Sequence, residues 1–236
     1  TPTPGGYLAA ATAGARGDRP LEGVRVAYSP TLGFGRNDDD VEREVTRAVG
    51  VLSELGARVD TVDPGITDPV DAFHVLWFAG LAAVLAPHGE GAIDHVDPSM
   101  RAALTRYHDF SAADYLDAVA VRMALGARMA DFHQSYDLLV TPTTPIPAFA
   151  AGSDVPPDWH SPDWTSWTPY TYPFNMTQQP ALSVPCGLTD SGLPVGMQLV
   201  GARFEDLLVI RAGAAVEAAL GQVVPAPPIH ADAPGG

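Results

Sequence analysis

Between Pro87 and Asp97 the chain carries His88, Glu90, Asp94, His95 and Asp97. Imidazole and carboxylate donors together suit a hard or borderline cation held in a loop. No H-E-x-x-H or D-x-D-x-D-G spacing backs that reading. The plain alternative is a solvated acidic connection between two helices, and no metal is assigned. Cys186, the single cysteine, follows a predicted strand in Val184-Pro-Cys-Gly187. A nucleophilic thiolate needs a partnering base; without one in view, Cys186 reads as a small buried hydrophobe. Thr1 brings a hydroxyl and its own amine as base, yet it leads into Pro-Thr-Pro-Gly-Gly and not into a packed strand. No serine sits in a G-x-S-x-G frame. The glycines at 33 and 35 lack the third of a dinucleotide fingerprint, and a chain without lysine cannot build a Walker loop. No cofactor is expected.

The aromatic residues are the better clue to a pocket. Trp159, Trp164, Trp167, Tyr170, Tyr172 and Phe174 crowd a Pro-rich stretch from Ala151 to about Pro173. Loops this long are uncommon unless functional, and aromatic side chains there can wall a ligand or cap the core beneath. For Trp164, Trp167 and Tyr170 both readings stand; Phe174 reads as core.

The elements that must position these residues follow from periodicity. Leu21–Pro30 reads as a buried strand and Arg58–Val62 as a second. Between them Asn37 and Asp38–Asp40 offer N-cap oxygens to a helix through Val41, Val45, Val49, Leu52 and Leu55, which Gly56 ends. Such a strand–helix–strand unit implies a parallel pair with a crossover. Asp71–Leu85 is apolar almost all round, which predicts a helix buried on most sides. Asp97 opens another helix, and Ser111 with Asp114 forms a capping box for a long one reaching about Tyr136. Asp137–Thr141, Ala181–Pro185 and Pro194–Val200 are strands, and Phe204–Leu220 is an Ala-rich closing helix. The order is α/β.

Composition sets the outer limits. The 236 residues are 46% hydrophobic and 17% charged, a balance that supports a real core. All 13 basic residues are Arg, and the net charge of −15 disfavours nucleic acid. No apolar run approaches the roughly 18 residues of a membrane span, and the first residues lack the apolar core of a signal peptide. The expectation is a cytoplasmic protein. The chain begins at Thr1, which suggests either a trimmed start or a piece of something longer. Residues 1–20 and 222–236 read as tails or linkers around a body at 21–221.

Three motifs then stand in order. Residues 137–145 read D-L-L-V-T-P-T-T-P, residues 174–185 read F-N-M-T-Q-Q-P-A-L-S-V-P, and residues 192–201 read G-L-P-V-G-M-Q-L-V-G. Together they resemble the C-terminal part of the amidase signature family, and Gly23–Gly33 is similar to that family's mid-chain strand. The resemblance implies an incomplete amidase-like fold: part of a mixed, mainly parallel central sheet flanked by helices. It implies hydrolysis of an amide to a carboxylate and ammonia or an amine. In that family a Lys, a Ser held by a cis peptide bond and a nucleophilic Ser in a Gly/Ser-rich segment do the chemistry, all in the N-terminal half. This chain has no Lys, no Ser-Ser pair and no Ser between two glycines, so no catalytic residue is carried over. A second departure is Gln178, where many members have Gly: either the turn differs or the Gln178 amide reaches a neighbour.

The resemblance therefore implies the C-terminal portion of an amide hydrolase, partnered by the missing N-terminal half or by another copy, acting on a small-molecule amide. Nucleic acid and membrane are not among the expected partners. Trp77, Trp167, Tyr170 and Asn175 are the substrate-lining candidates; for Trp77, on its apolar helix, a core role is the alternative. A degenerate binding or assembly module and a fragment of a tRNA-amidotransferase-type glutaminase are the other readings. The aromatic loop favours an apolar or aryl amide over glutamine.

Overall fold

The computed structural model describes residues 5–107 and 109–221. Five strands form one sheet: β1 (Arg25–Tyr28), β2 (Arg58–Thr61), β3 (Leu138–Pro142), β4 (Ala181–Leu188) and β5 (Pro194–Gly201), in the order β2-β1-β3-β5-β4. β1 pairs in parallel with β2 and β3, while β5 runs antiparallel to both β3 and β4. Four strands therefore point one way and β5 the other, so the sheet is mixed and mainly parallel, as the motifs implied.

Among the described residues seven α-helices flank the sheet: α1 (Gly6–Arg16), α2 (Asp39–Glu54), α3 (Val70–Leu85), α4 (Pro98–Arg106), α5 (Ala112–Phe132), α6 (Tyr172–Thr177) and α7 (Asp206–Leu220). α2 is the expected crossover. Asp38 caps it by accepting from the Asp40 amide, and its apolar stripe at Val41, Val45, Ala48, Val49 and Leu52 is buried. Ser111 and Asp114 form the capping box of α5.

Because successive side chains on a strand face opposite ways, the sheet sorts two cores. Val26, Leu138, Val140, Met197, Leu199 and Cys186 pack with α2 and α7. Ala27, Leu139 and Val200 pack with Met129, Phe132, Tyr170 and Phe174. The first motif begins where these strands are joined: the Asp137 carboxylate accepts from the Arg25 amide (2.8 Å) and guanidinium (2.7 Å), fixing β1 beside β3. Burial of Cys186 pushes its thiol pKa up to about 12, so no thiolate forms near neutral pH.

Three expectations change. Residues 6–16, read as part of a tail, form α1, which lies along α7 with Gly14 buried. The Ala/Gly-rich sequence shows no apolar period because small residues make this close contact. α3 is not buried on most sides. Phe73, His74 and Phe78 are buried, whereas Trp77 is 44% and Val84 64% exposed. Its stretch Val70–His88 is long and apolar enough to cross a membrane by length and composition, although Asp71 and two histidines interrupt it. Thirdly, the loop after Ala151 is partly ordered into a 3-10 turn (Trp164–Trp167) and α6. Thr1 and residues 222–236 lie outside the described residues.

Gln178 keeps the turn a glycine would make. It ends α6 with φ 58° and ψ 39°, and its exposed side chain makes no hydrogen bond among the described residues. The amide that reaches a neighbour belongs to Gln179. It donates to the Gly201 carbonyl (2.9 Å) and to Nε2 of His133 (2.9 Å), whose Nδ1–H donates to the Tyr136 carbonyl (3.0 Å). Left-handed backbone costs a non-glycine residue about 1–2 kcal/mol, against about 0.5–1 kcal/mol of extra chain entropy for glycine. Gln178→Gly is therefore expected to raise stability by about 0.5–1 kcal/mol in urea denaturation; a loss would show that the side chain has a partner.

Candidate functional site

A hollow of about 880 Å³ lies where four segments meet. The loop before α2 contributes Phe34 and Arg36, the start of α3 contributes Asp71 and His74, the end of α4 contributes Tyr107, and the 145–172 segment contributes Trp159 and Asp163. That segment is anchored to the sheet by Gln198 of the third motif, which is buried and donates to the Tyr170 carbonyl (2.7 Å) and Thr141 Oγ1 (3.0 Å). At the other rim Tyr170 Oη donates to Asn37 Oδ1 (2.6 Å). Asn37, read from sequence as a cap, braces this tyrosine while Asp38 does the capping.

Polar side chains hold the walls in register. His74 Nε2 lies 2.7 Å from Thr165 Oγ1, tying α3 to the 3-10 turn. Tyr107 Oη donates to Asp163 Oδ2 (2.9 Å), and the same carboxylate pairs with Arg106. Tyr172 Oη donates to Asp68 Oδ1 (2.6 Å). Burial pushes the Tyr172 hydroxyl far above its usual range, and the Asp68 charge adds to this. The hollow thus offers hydrogen-bonding edges on aromatic walls, a surface that can orient a polar head group and exclude water around it.

His74 is 8% exposed, and desolvation holds its pKa below 6.5 despite the nearby carboxylates of Asp163, Asp71 and Asp68, which favour the imidazolium. His133 is likewise lowered by burial. The unfolded chain takes up a proton first as pH falls below about 6.5, so these two contribute full stability above that pH and lose it as pH drops toward their folded values. Melting temperature is expected to fall between pH 7 and 5, and His74→Gln should flatten that slope. An unchanged slope in the variant would remove His74 from the account.

The four sequence candidates do not converge on the hollow. Tyr170 is fully buried core, braced from beneath by the sheet. Trp77 is exposed on α3, with its ring 5.4 Å from Phe73 and edge-on to Trp164 at 6.3 Å. Trp167 is half-buried, donates Nε1–H to the Asp154 carbonyl (2.9 Å) and meets Phe149 edge-on. Asn175 is exposed on α6. None of them lines the hollow among the described residues. The residues missed, His74, Tyr107, Asp163 and Thr165, come from three distant segments. The one local signal was a histidine inside an otherwise apolar helix. The 87–97 stretch makes 3-10 turns, with Asp97 capping α4 and Asp94 beside Arg101. Among the described residues no three His, Cys, Asp or Glu side chains gather to hold a metal.

Residues 10–210 match the family model described as Amidase. The chain belongs to the amidase signature family. It is 30% identical over 210 residues to an acylamidase of Rhodococcus erythropolis, covering 84% of this chain and 43% of that protein. It is 31% identical over 225 residues to a glutamyl-tRNA(Gln) amidotransferase subunit of Acaryochloris marina, covering 84% of this chain and 45% of that one. A crystal structure of a bacterial aryl acylamidase superposes with a TM-score of 0.75 at 26% identity, over 89% of this chain and 45% of that chain. This amidase-family chain thus spans under half the length of the relatives it matches, and its five-stranded sheet lies within their fold.

Proposed function

We propose that this chain is the C-terminal portion of an amide hydrolase, supplying scaffold and substrate walls while the Lys and the two Ser of the family's chemistry stand outside it. The coverage carries this reading: residues 10–210 match the family, yet the alignments with the two relatives cover only 43% and 45% of their lengths. The absence of lysine agrees with it. An unactivated hydroxyl attacks an amide slowly without a base and oxyanion donors. The exposed apolar residues agree as well. Trp77 and Val84 on α3, with Leu116 and Met123 on α5, leave an apolar surface of the kind that marks an interface, and the missing half is its proposed cover. Aryl or otherwise apolar amides are the favoured substrates, on the aromatic walls and the likeness to an acylamidase. The place of action is the cytoplasm.

Acetanilide hydrolysis tests this: water adds across the C–N bond, the acyl carbon takes the oxygen, and aniline leaves with the proton. The purified chain should release no aniline. Co-expression with the N-terminal half of the R. erythropolis acylamidase relative, or with the chain's own upstream half, should restore release. Turnover by the 236-residue chain alone, constant through purification, would overturn the reading.

A further inference from the structure

Gln179, which follows the left-handed turn at Gln178, is held by three elements at once. Its Nε2 donates to the Gly201 carbonyl at the end of β5 (2.9 Å) and to Nε2 of His133 just after α5 (2.9 Å). Its Oε1 accepts from the Thr177 hydroxyl at the end of α6 (2.7 Å). A carbonyl can only accept, so Gly201 fixes the nitrogen of the amide toward itself. The second hydrogen of that nitrogen then points at His133, and the imidazole must meet it with a bare Nε2. Its other nitrogen, Nδ1, donates to the Tyr136 carbonyl (3.0 Å). One neutral tautomer therefore satisfies every partner. A second proton on the ring finds no acceptor, because Nε2–H would face N–H. The amide can turn over to present Oε1, but Oε1 then also faces the Gly201 carbonyl, and that hydrogen bond is lost.

We infer that His133 and Gln179 form an acid-released latch: the neutral imidazole locks Gln179 across α5, α6 and β5, and a proton at Nε2 releases the end of α6. The latch bears on the hollow because α6 begins at Tyr172, which lines it and whose hydroxyl is held by Asp68. Acid thus slackens that wall. Burial favours the neutral ring and holds its pKa below 6.5. Asp137 favours the imidazolium, but its carboxylate is paired with Arg25. The Tyr136 hydroxyl donates to Asp60 (3.4 Å), and the Phe132 ring meets the imidazole edge-on at 5.5 Å. From α6 and β5 the groups that bond into the latch, Thr177, Gln179 and Gly201, are uncharged. Among the described residues no other charged group acts on the ring. The sign follows from linkage. The open state takes up its proton near the ordinary value of 6.5, above that of the latched state, so the latch is at full strength above that pH and weakens as pH falls below it. None of this depends on the amide-hydrolase reading.

NMR of the full chain tests the latch without any turnover. At neutral pH the His133 ring should carry its proton on Nδ1 and none on Nε2. Amide exchange reads the release. The Gly201 amide, which donates to the Pro180 carbonyl (3.0 Å), and the Gln179 amide, which donates to the Phe174 carbonyl (3.3 Å), flank the latch. Their protection, corrected for intrinsic exchange, should fall at least about fivefold between about pH 7.5 and pH 5, while the amides of β1 keep theirs. His133→Gln cannot take up the proton and should abolish this pH dependence. Gln179→Glu sets a carboxylate against the ring and should raise the His133 titration above the parent's. A ring protonated on Nε2 at neutral pH, protection at Gly201 that ignores pH, the same loss in His133→Gln, or a His133 titration unmoved by Gln179→Glu would each overturn the inference. Should a variant fail to fold, the tautomer and the protection profile of the parent decide.

Discussion

Tyr170→Ala is expected to destabilise the fold by about 3–5 kcal/mol, the usual cost of deleting a buried aromatic ring. The residue is fully buried between the sheet and α5. Its neighbours cannot collapse into the gap easily. Gly35 sits so close that a Cβ there would overlap the tyrosine ring, and Gln198 holds the Tyr170 carbonyl at 2.7 Å. Tyr170→Phe separates the two contributions. It keeps the ring and leaves Asn37 Oδ1 short of a donor, for about 1–2 kcal/mol. Urea denaturation of the two variants checks the ordering, and a loss below about 1 kcal/mol for the alanine variant would mean that Tyr170 is not core. Since this ring underlies the rim formed by Asn37, the alanine variant should also loosen the polar hollow.

The second large effect concerns α1. A Cβ at Gly14 would overlap the Arg211 carbonyl oxygen and come within 3.2 Å of the Ala214 side chain. A backbone oxygen in the middle of α7 cannot move without bending that helix. In a free helix, Gly→Ala gains about 1 kcal/mol; here overpacking of about 1–3 kcal/mol opposes and exceeds that gain. Gly14→Val is expected to detach α1 and to speed tryptic cleavage after Arg16. Gly50, in α2, is the internal control. A Cβ at that position would meet nothing within 4 Å, so Gly50→Ala should stabilise by up to about 1 kcal/mol. If both glycine variants move stability the same way, close packing of α1 on α7 is refuted.

Local chemistry wrote much of this structure into the sequence. Asp38 and the Ser111–Asp114 pair mark helix starts because a side-chain oxygen satisfies free amides within its own turn. The stripe from Val41 to Leu52 shows the face α2 buries, and the motif Asp137 pairs with an arginine that its own strand lies beside. The order of the three motifs was enough to place the chain in its family. The site was far less legible. His74, Tyr107 and Asp163 meet only after α3, α4 and the Trp-rich segment fold together, and no spacing along the chain encodes that meeting.

The sequence by itself determined where α2, α4 and α5 begin, which face of α2 turns inward, and the family. Those properties depend on residues within a turn or a strand of one another. Only the tertiary structure decided that Tyr170 is core while Trp77 is exposed, that Gly14 is a contact and not part of a tail, and that Gln179 meets His133. The reason is that burial belongs to surfaces brought together from distant parts of the chain. An aromatic or apolar residue carries the same local pattern whether or not a partner covers it.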